Sequence, residues 1–196
     1  GEGNIIQAYK KIVASKYSLP AITYSMNRGL KDDDFAMCVG CMAMVDAVSG
    51  GVIYSRNPVD NRDDSIFINA AWGLPKSVVD GSDACDLIVV SRKATMEIIH
   101  EDIKIKKRKF ICFPEEGVCR MELTGKNGSL AAIDKNQALD LAQLAVKIEE
   151  YYTTPQDIEW ALAGGQFVLL QTRPMTSFIF DPEIGQWTSG NYREVL

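Results

Sequence analysis

Histidine is almost missing from this chain: one residue, His100, in 196. A catalytic or metal set built on several imidazoles is therefore excluded. His100 falls in the alternating segment EIIHEDIKI and reads as a surface strand residue. Long apolar runs are absent too. No stretch reaches the roughly 18 apolar residues that span a bilayer, and no secretory apolar core opens the sequence, so no membrane partner is expected. Nor is there an excess of cations: 21 Lys and Arg stand against 26 Asp and Glu, a net charge of −5. Nucleic acid is not expected as a partner, and a phosphate ligand would have to meet locally placed cations. No repeat or low-complexity tract interrupts the chain. Its length suits one medium domain or two small lobes.

The five cysteines, Cys38, Cys41, Cys85, Cys112 and Cys119, are an odd number, so disulfides cannot pair them all. A reduced, cytoplasmic setting with buried thiols is the expectation. Cys38 and Cys41 lie in an apolar stretch that reads as a strand, where they would point to opposite faces and not chelate.

Residues 4–15 read as a helix capped by Asn4, with Gln7 at the capping-box position and Ile5, Tyr9, Ile12 and Val13 on one stripe. A second short helix follows Leu19 and stops before Gly29. Residues 35–45 are continuously apolar and read as a buried strand, with 51–56 as the return strand of a hairpin. Asn57-Pro58 ends it. Residues 65–71 read as another strand. From Asp86 to Arg120 short alternating pieces predict antiparallel strands on a half-exposed sheet. Lys104, Lys106, Lys107, Arg108 and Lys109 read as a solvated strand and turn. Residues 134–152 form the strongest helix, capped by Asp134 with Gln137 answering and Leu141, Leu144, Ala145 and Ile148 on one face. The order of elements argues for an α+β fold: an antiparallel sheet with packed helices, 4–15 and 134–152 among them.

The segment 155–174, PQDIEWALAGGQFVLLQTRP, reads as a hairpin. Asp157 and Glu159 are two apart and share one strand face. A two-residue Gly164-Gly165 turn would set Gln171 and Arg173 beside Ile158 and Trp160. A three-residue turn including Gln166 would instead pair Glu159 with Gln171 and Asp157 with Arg173, leaving Ile158, Trp160, Leu162, Val168 and Leu170 as an apolar face. Segregation of polar from apolar side chains favours the second register. Two carboxylates at this spacing suit Mg²⁺, and an arginine fork beside them suits a phosphate. The alternative is a solvent-facing network in which Asp157 and Arg173 are an ordinary ion pair.

PQDIEWA with the spaced LLQTRP, together with SGGVIYSRNP, AWGLPKSVVDG and AYKKIVASKYSLPAITY, resembles the nucleotide-binding domain of the phosphoenolpyruvate synthase and pyruvate phosphate dikinase family. The matches run from near residue 8 to near residue 174 in the family's order. The resemblance implies an ATP-grasp-like lobe over 1–176 and a linker over 177–196 toward a downstream domain. Both ends of the chain read as lying within a longer protein. The resemblance further implies that Asp157, Glu159 and Gln171 hold Mg²⁺ and ATP, with Arg173 beside them. In the family the β-phosphoryl group of ATP passes to a histidine on a separate domain. From there it passes to pyruvate on a third, giving phosphoenolpyruvate and AMP. Those phosphohistidine and pyruvate-binding domains are the implied partners, and full-length members commonly form dimers, so a homodimer is within expectation. Relatives phosphorylate rifamycin, glucan or phenol instead, and an adaptor that kept the fold without catalysis is a further alternative. This sequence departs from the family at Pro75-Lys76, where Gly-Glu is usual, at Met42, where Gln often stands, and at Tyr24-Ser25, where Tyr-Arg is usual. The family's phosphate-gripping lysine and arginine lie upstream of residue 1, so this chain alone is expected to bind ATP weakly.

Overall fold

The computed structural model describes residues 1–34, 36–60, 63–113 and 115–175. The expected linker over 177–196 lies outside the described residues. The chain divides into two compact units, Gly1–Met44 and Val45–Leu196.

The first unit holds helices α1 (Glu2–Ser15) and α2 (Leu19–Asn27). The expected start at Asn4 moves back to Glu2, because the Asn4 amide already donates to the Gly1 carbonyl at 3.0 Å and Asn4 sits inside the first turn. Ser18 caps α2 through its side chain, and Pro20 sits in its first turn, where a missing N–H leaves no bond unmade. None of the α1 residues is buried, and Ile5, Tyr9 and Ile12 stay exposed. A unit of this size cannot bury much apolar surface by itself. The buried strand expected over 35–45 fails. Phe35 lies outside the described residues, and 36–45 form no strand and are mostly exposed. An apolar run becomes a strand only when a neighbour completes its hydrogen bonds, and among the described residues none does. Cys38 and Cys41 are thus exposed, and none of the five thiols is buried.

The second unit is α+β. Six antiparallel strands run in the order β4 (Ile98–Asp102), β3 (Asp86–Ser91), β2 (Ser65–Trp72), β1 (Ser49–Tyr54), β7 (Gln156–Ala163) and β8 (Gln166–Pro174). β5 (Arg108–Phe113) and β6 (Gly117–Glu122) form a separate two-stranded sheet. The single sheet read from the sequence is therefore two, and the two neighbours of β1 are β2 and β7. A short helix, α3 (Lys76–Val79), follows β2.

Helix α4 (Lys135–Tyr152) begins with the capping box expected of Asp134 and Gln137 and ends on Thr153 in the left-handed conformation. Its apolar stripe, Leu141 and Ala145 foremost, covers one face of the sheet against Ile53, Ile68, Ile158 and Trp160. Each such side chain removed from water contributes about 1.5–3 kcal/mol. Gly51 lets the central strands close up: a Cβ there would lie 1.8 Å from the Asn69 carbonyl oxygen.

The basic run is not wholly solvated. Lys106 is fully buried and ion-paired with Asp86, itself buried. Asp86 also accepts from the Lys104 amide at 3.0 Å and the Ala132 amide at 2.8 Å, so its charge is fully met.

Candidate functional site

The hairpin β7–β8 turns through Gly164 and Gly165 at φ 56° and 77°, a left-handed pair that suits a two-residue turn twisted with its strands. The three-residue turn expected from the sequence does not form. Near the tip Ala163 pairs with Gln166 and Trp160 with Leu169. Between Glu159 and Trp160 the register then shifts by one residue, with Leu170 as the extra residue in β8. Beyond this bulge Glu159 stands opposite Gln171, and Asp157 opposite Arg173. The expected polar pairing holds, produced by a bulge and not by the turn.

The bulge also corrects the apolar face. Phe167 and Leu169, not Val168 and Leu170, stand opposite Leu162 and Trp160. Phe167 meets Trp160 edge to face at 5.6 Å between ring centres. Val168 pairs with Ala161 and so lies on the carboxylate side.

All four residues singled out from the sequence are thus gathered on the sheet face away from α4. Arg173 Nε donates to Asp157 Oδ2 at 2.8 Å. Asp157 is nearly buried while the Arg173 side chain is 59% exposed, so the pair contributes at most about 1 kcal/mol to stability. Glu159 is half-buried, and no hydrogen bond meets its carboxylate among the described residues. Burial pushes its carboxyl above the usual carboxylate range, the Asp157 charge adds to that rise, and Arg173 partly offsets it. Gln171 is exposed.

Tyr54 and Val52 stand in register with Asp157 and Glu159 on the other side of β7. Sequence reading did not bring them to the site. The alternation GGVIYS puts them on one face, but it does not say that β1 is the neighbour of β7. Arg56, which reads as a solvated strand end, is ion-paired: its Nε lies 3.0 Å from Glu149 Oε1, and it also pairs with Asp64.

Among the described residues no group of three or more His, Cys, Asp or Glu gathers to hold a metal by itself. Two carboxylates with one amide fit a hard cation that takes its other ligands from water and phosphate oxygens. A half-buried carboxylate beside a second one gains from such a cation, whose charge offsets the burial and the Asp157 repulsion that raise the Glu159 carboxyl.

The described residues include no helix long and apolar enough to cross a membrane. Residues 1–182 match the family described as pyruvate phosphate dikinase, AMP/ATP-binding domain. The chain is 30% identical over 177 residues to a probable phosphoenolpyruvate synthase of Methanocaldococcus jannaschii, covering 90% of this chain and 15% of that protein. To the rifampicin phosphotransferase of Bacillus cereus it is 29% identical over 195 residues, covering all of this chain and 22% of that protein. A phosphoenolpyruvate synthase of Pyrococcus furiosus is 31% identical over 185 residues, with 90% of this chain and 22% of that protein covered. The chain therefore spans about a fifth of the length of these relatives.

Proposed function

From the premise that this chain belongs to the pyruvate phosphate dikinase AMP/ATP-binding domain family, we propose that it supplies the carboxylate side of an ATP site in an ATP-grasp-like nucleotide-binding domain. The whole protein would be a phosphoenolpyruvate synthase-like dikinase. Residues 1–176 would belong to the nucleotide-binding domain and 177–196 would lead toward the phosphoryl-accepting domain. The relatives' greater length supports further domains, and five thiols without a disulfide support a cytoplasmic setting.

In this reading Asp157, Glu159 and Gln171 hold Mg²⁺, which neutralises the triphosphate charge when bound. Asp157 and Glu159 supply the two negative charges, and Gln171 an amide oxygen from the facing strand. Arg173 keeps Asp157 oriented and brings a positive charge to the face that would meet phosphate oxygens. Phosphoryl transfer asks for positioning and charge neutralisation more than for covalent help from the protein. A rigid hairpin backed by Trp160 and α4 suits that demand. The acceptor would be a histidine of another domain, then pyruvate.

The observation that carries the reading is the register: the bulge at Leu170 sets Gln171 and Arg173 opposite Glu159 and Asp157. The test is labelling of the full-length protein with β-³²P ATP. Label on a histidine with AMP release is expected, and its loss in Asp157→Asn and Glu159→Gln proteins. Label transfer undiminished in both variants would refute it. A second acceptor, a rifamycin, is favoured by the match to the rifampicin phosphotransferase along the entire chain. Supplying labelled enzyme with either pyruvate or rifampicin separates the two.

A further inference from the structure

Behind the Asp157–Arg173 pair, on the α4 face of the sheet, lies a second polar cluster that the nucleotide site does not use. Its centre is Glu149, in the last turns of α4 and 8% exposed. The Glu149 carboxylate accepts from Arg92 Nη1 at 2.8 Å, Arg92 Nη2 at 3.1 Å and Arg56 Nε at 3.0 Å. Arg92 Nη1 also donates to the Ser55 carbonyl at 2.6 Å. Asp64 bridges the two arginines on their outer side, bonding Arg92 Nε at 3.1 Å, so the cluster is neutral overall.

We propose that Glu149 is a positioning residue for the Asp157–Arg173 pair, acting through Arg92, Ser55, Gln156 and Thr172. The proposal rests on the nucleotide-site reading above. The Ser55 hydroxyl accepts from the Gln156 amide at 2.8 Å, and the Ser55 amide donates to the Gln156 carbonyl at 2.9 Å. Gln156 is buried and its side chain has no freedom left. Its Nε2 donates to the Thr154 carbonyl at 3.0 Å and hydroxyl at 2.9 Å, while its Oε1 accepts from the Thr172 hydroxyl at 2.8 Å.

The chain of bonds thus ends on the residues immediately before Asp157 and Arg173. Side chains alternate along a strand, so fixing Gln156 and Thr172 on one face fixes Asp157 and Arg173 on the other. Glu149, Ser55 and Gln156 are buried and Thr172 is half-buried, and removing one leaves a buried partner unmet, so the relay shifts as a unit. A carboxylate whose only task was to tie α4 to the sheet could be replaced by apolar packing without loss of stability. The directed path from Glu149 to the pair is what such packing would not supply.

The test uses the 196-residue chain with Glu149→Gln and Thr172→Val. The second variant leaves every ion pair of Glu149 intact. Two readouts are taken: the Arg173 Nε–H resonance in ¹⁵N spectra, and Mg·ATP affinity from an NMR titration able to read millimolar binding. The Arg173 resonance should move toward that of a free guanidinium in both variants, and affinity should fall about 10-fold, as is typical when the supports of ligating groups are removed. A folded Thr172→Val protein with unchanged resonance and affinity overturns the proposal even if Glu149→Gln fails to fold. A shifted resonance with unchanged affinity, where Asp157→Asn does weaken binding, also overturns it. Should Asp157→Asn leave affinity unchanged, the nucleotide-site reading fails, and the Arg173 resonance alone decides the positioning role.

Discussion

Arg173 reaches Asp157, with Nε 2.8 Å from Oδ2, because Leu170 is an extra residue in β8. Without it, the two-residue turn at Gly164-Gly165 would set Thr172 opposite Asp157 and send Arg173 to the α4 face. Substituting Arg173 should therefore separate function from stability. Arg173→Gln is expected to change unfolding free energy by no more than about 1 kcal/mol, since the guanidinium is largely exposed. Mg·ATP affinity should fall about 10-fold. Urea denaturation and an NMR titration check the two halves.

The Glu159 carboxyl, raised by burial and by Asp157, predicts a pH effect of definite sign. Its folded-state pKa lies above its unfolded value, so in that window the folded state holds the proton that the unfolded state has lost. This group's contribution to stability therefore falls as pH rises from the ordinary carboxylate value through the raised one. Glu159→Gln removes the slope. Thermal melts should show the variant gaining on the parent above that window and matching it below. Divalent-cation affinity of the parent should drop as pH falls through the same window, because protons and metal compete for one carboxylate.

The turn glycines are required by their conformation. Gly164→Ala and Gly165→Ala should each destabilise the chain by about 1–2 kcal/mol, because a Cβ is disfavoured at positive φ. Chemical denaturation reads this directly. Neither change touches a side chain of the proposed site.

Lys106 and Asp86 form a pair with no exposed side-chain surface. Lys106→Met leaves Asp86 charged and buried with only backbone partners, and should cost about 3–5 kcal/mol. A smaller loss, within about 1 kcal/mol in urea titration, would mean that the Lys104 and Ala132 amides alone satisfy the carboxylate.

Much of the second unit was legible because its signals are local. Asp134 and Gln137 announce a capping box, and the period of Leu141 and Ala145 shows which side of α4 is apolar. Asp157 and Glu159 share a face by alternation alone. What was not legible depends on partners far along the chain. The apolar run at 36–45 carries strand composition, yet pairing is decided by neighbours, and its neighbours did not form a ladder with it. Lys106 looked solvated among four other cations, and only Asp86, twenty residues earlier, explains its burial. The Leu170 bulge has no local signature: two glycines allow either turn length, and the side-chain faces alone favoured the wrong one. The polar pairing was still correct, because a two-residue turn plus one bulged residue reaches the same register at the far end as a three-residue turn.

The central claim is that the face carrying Asp157, Glu159, Gln171 and Arg173 meets a metal–nucleotide complex. Titration of this chain with Mn²⁺·ATP while recording backbone amides tests it most directly, since paramagnetic broadening reports even weak occupancy. Broadening should centre on residues 156–159 and 171–173, and should vanish in the Asp157→Asn, Glu159→Gln double variant. Broadening centred elsewhere, or unchanged in the double variant, would contradict the account.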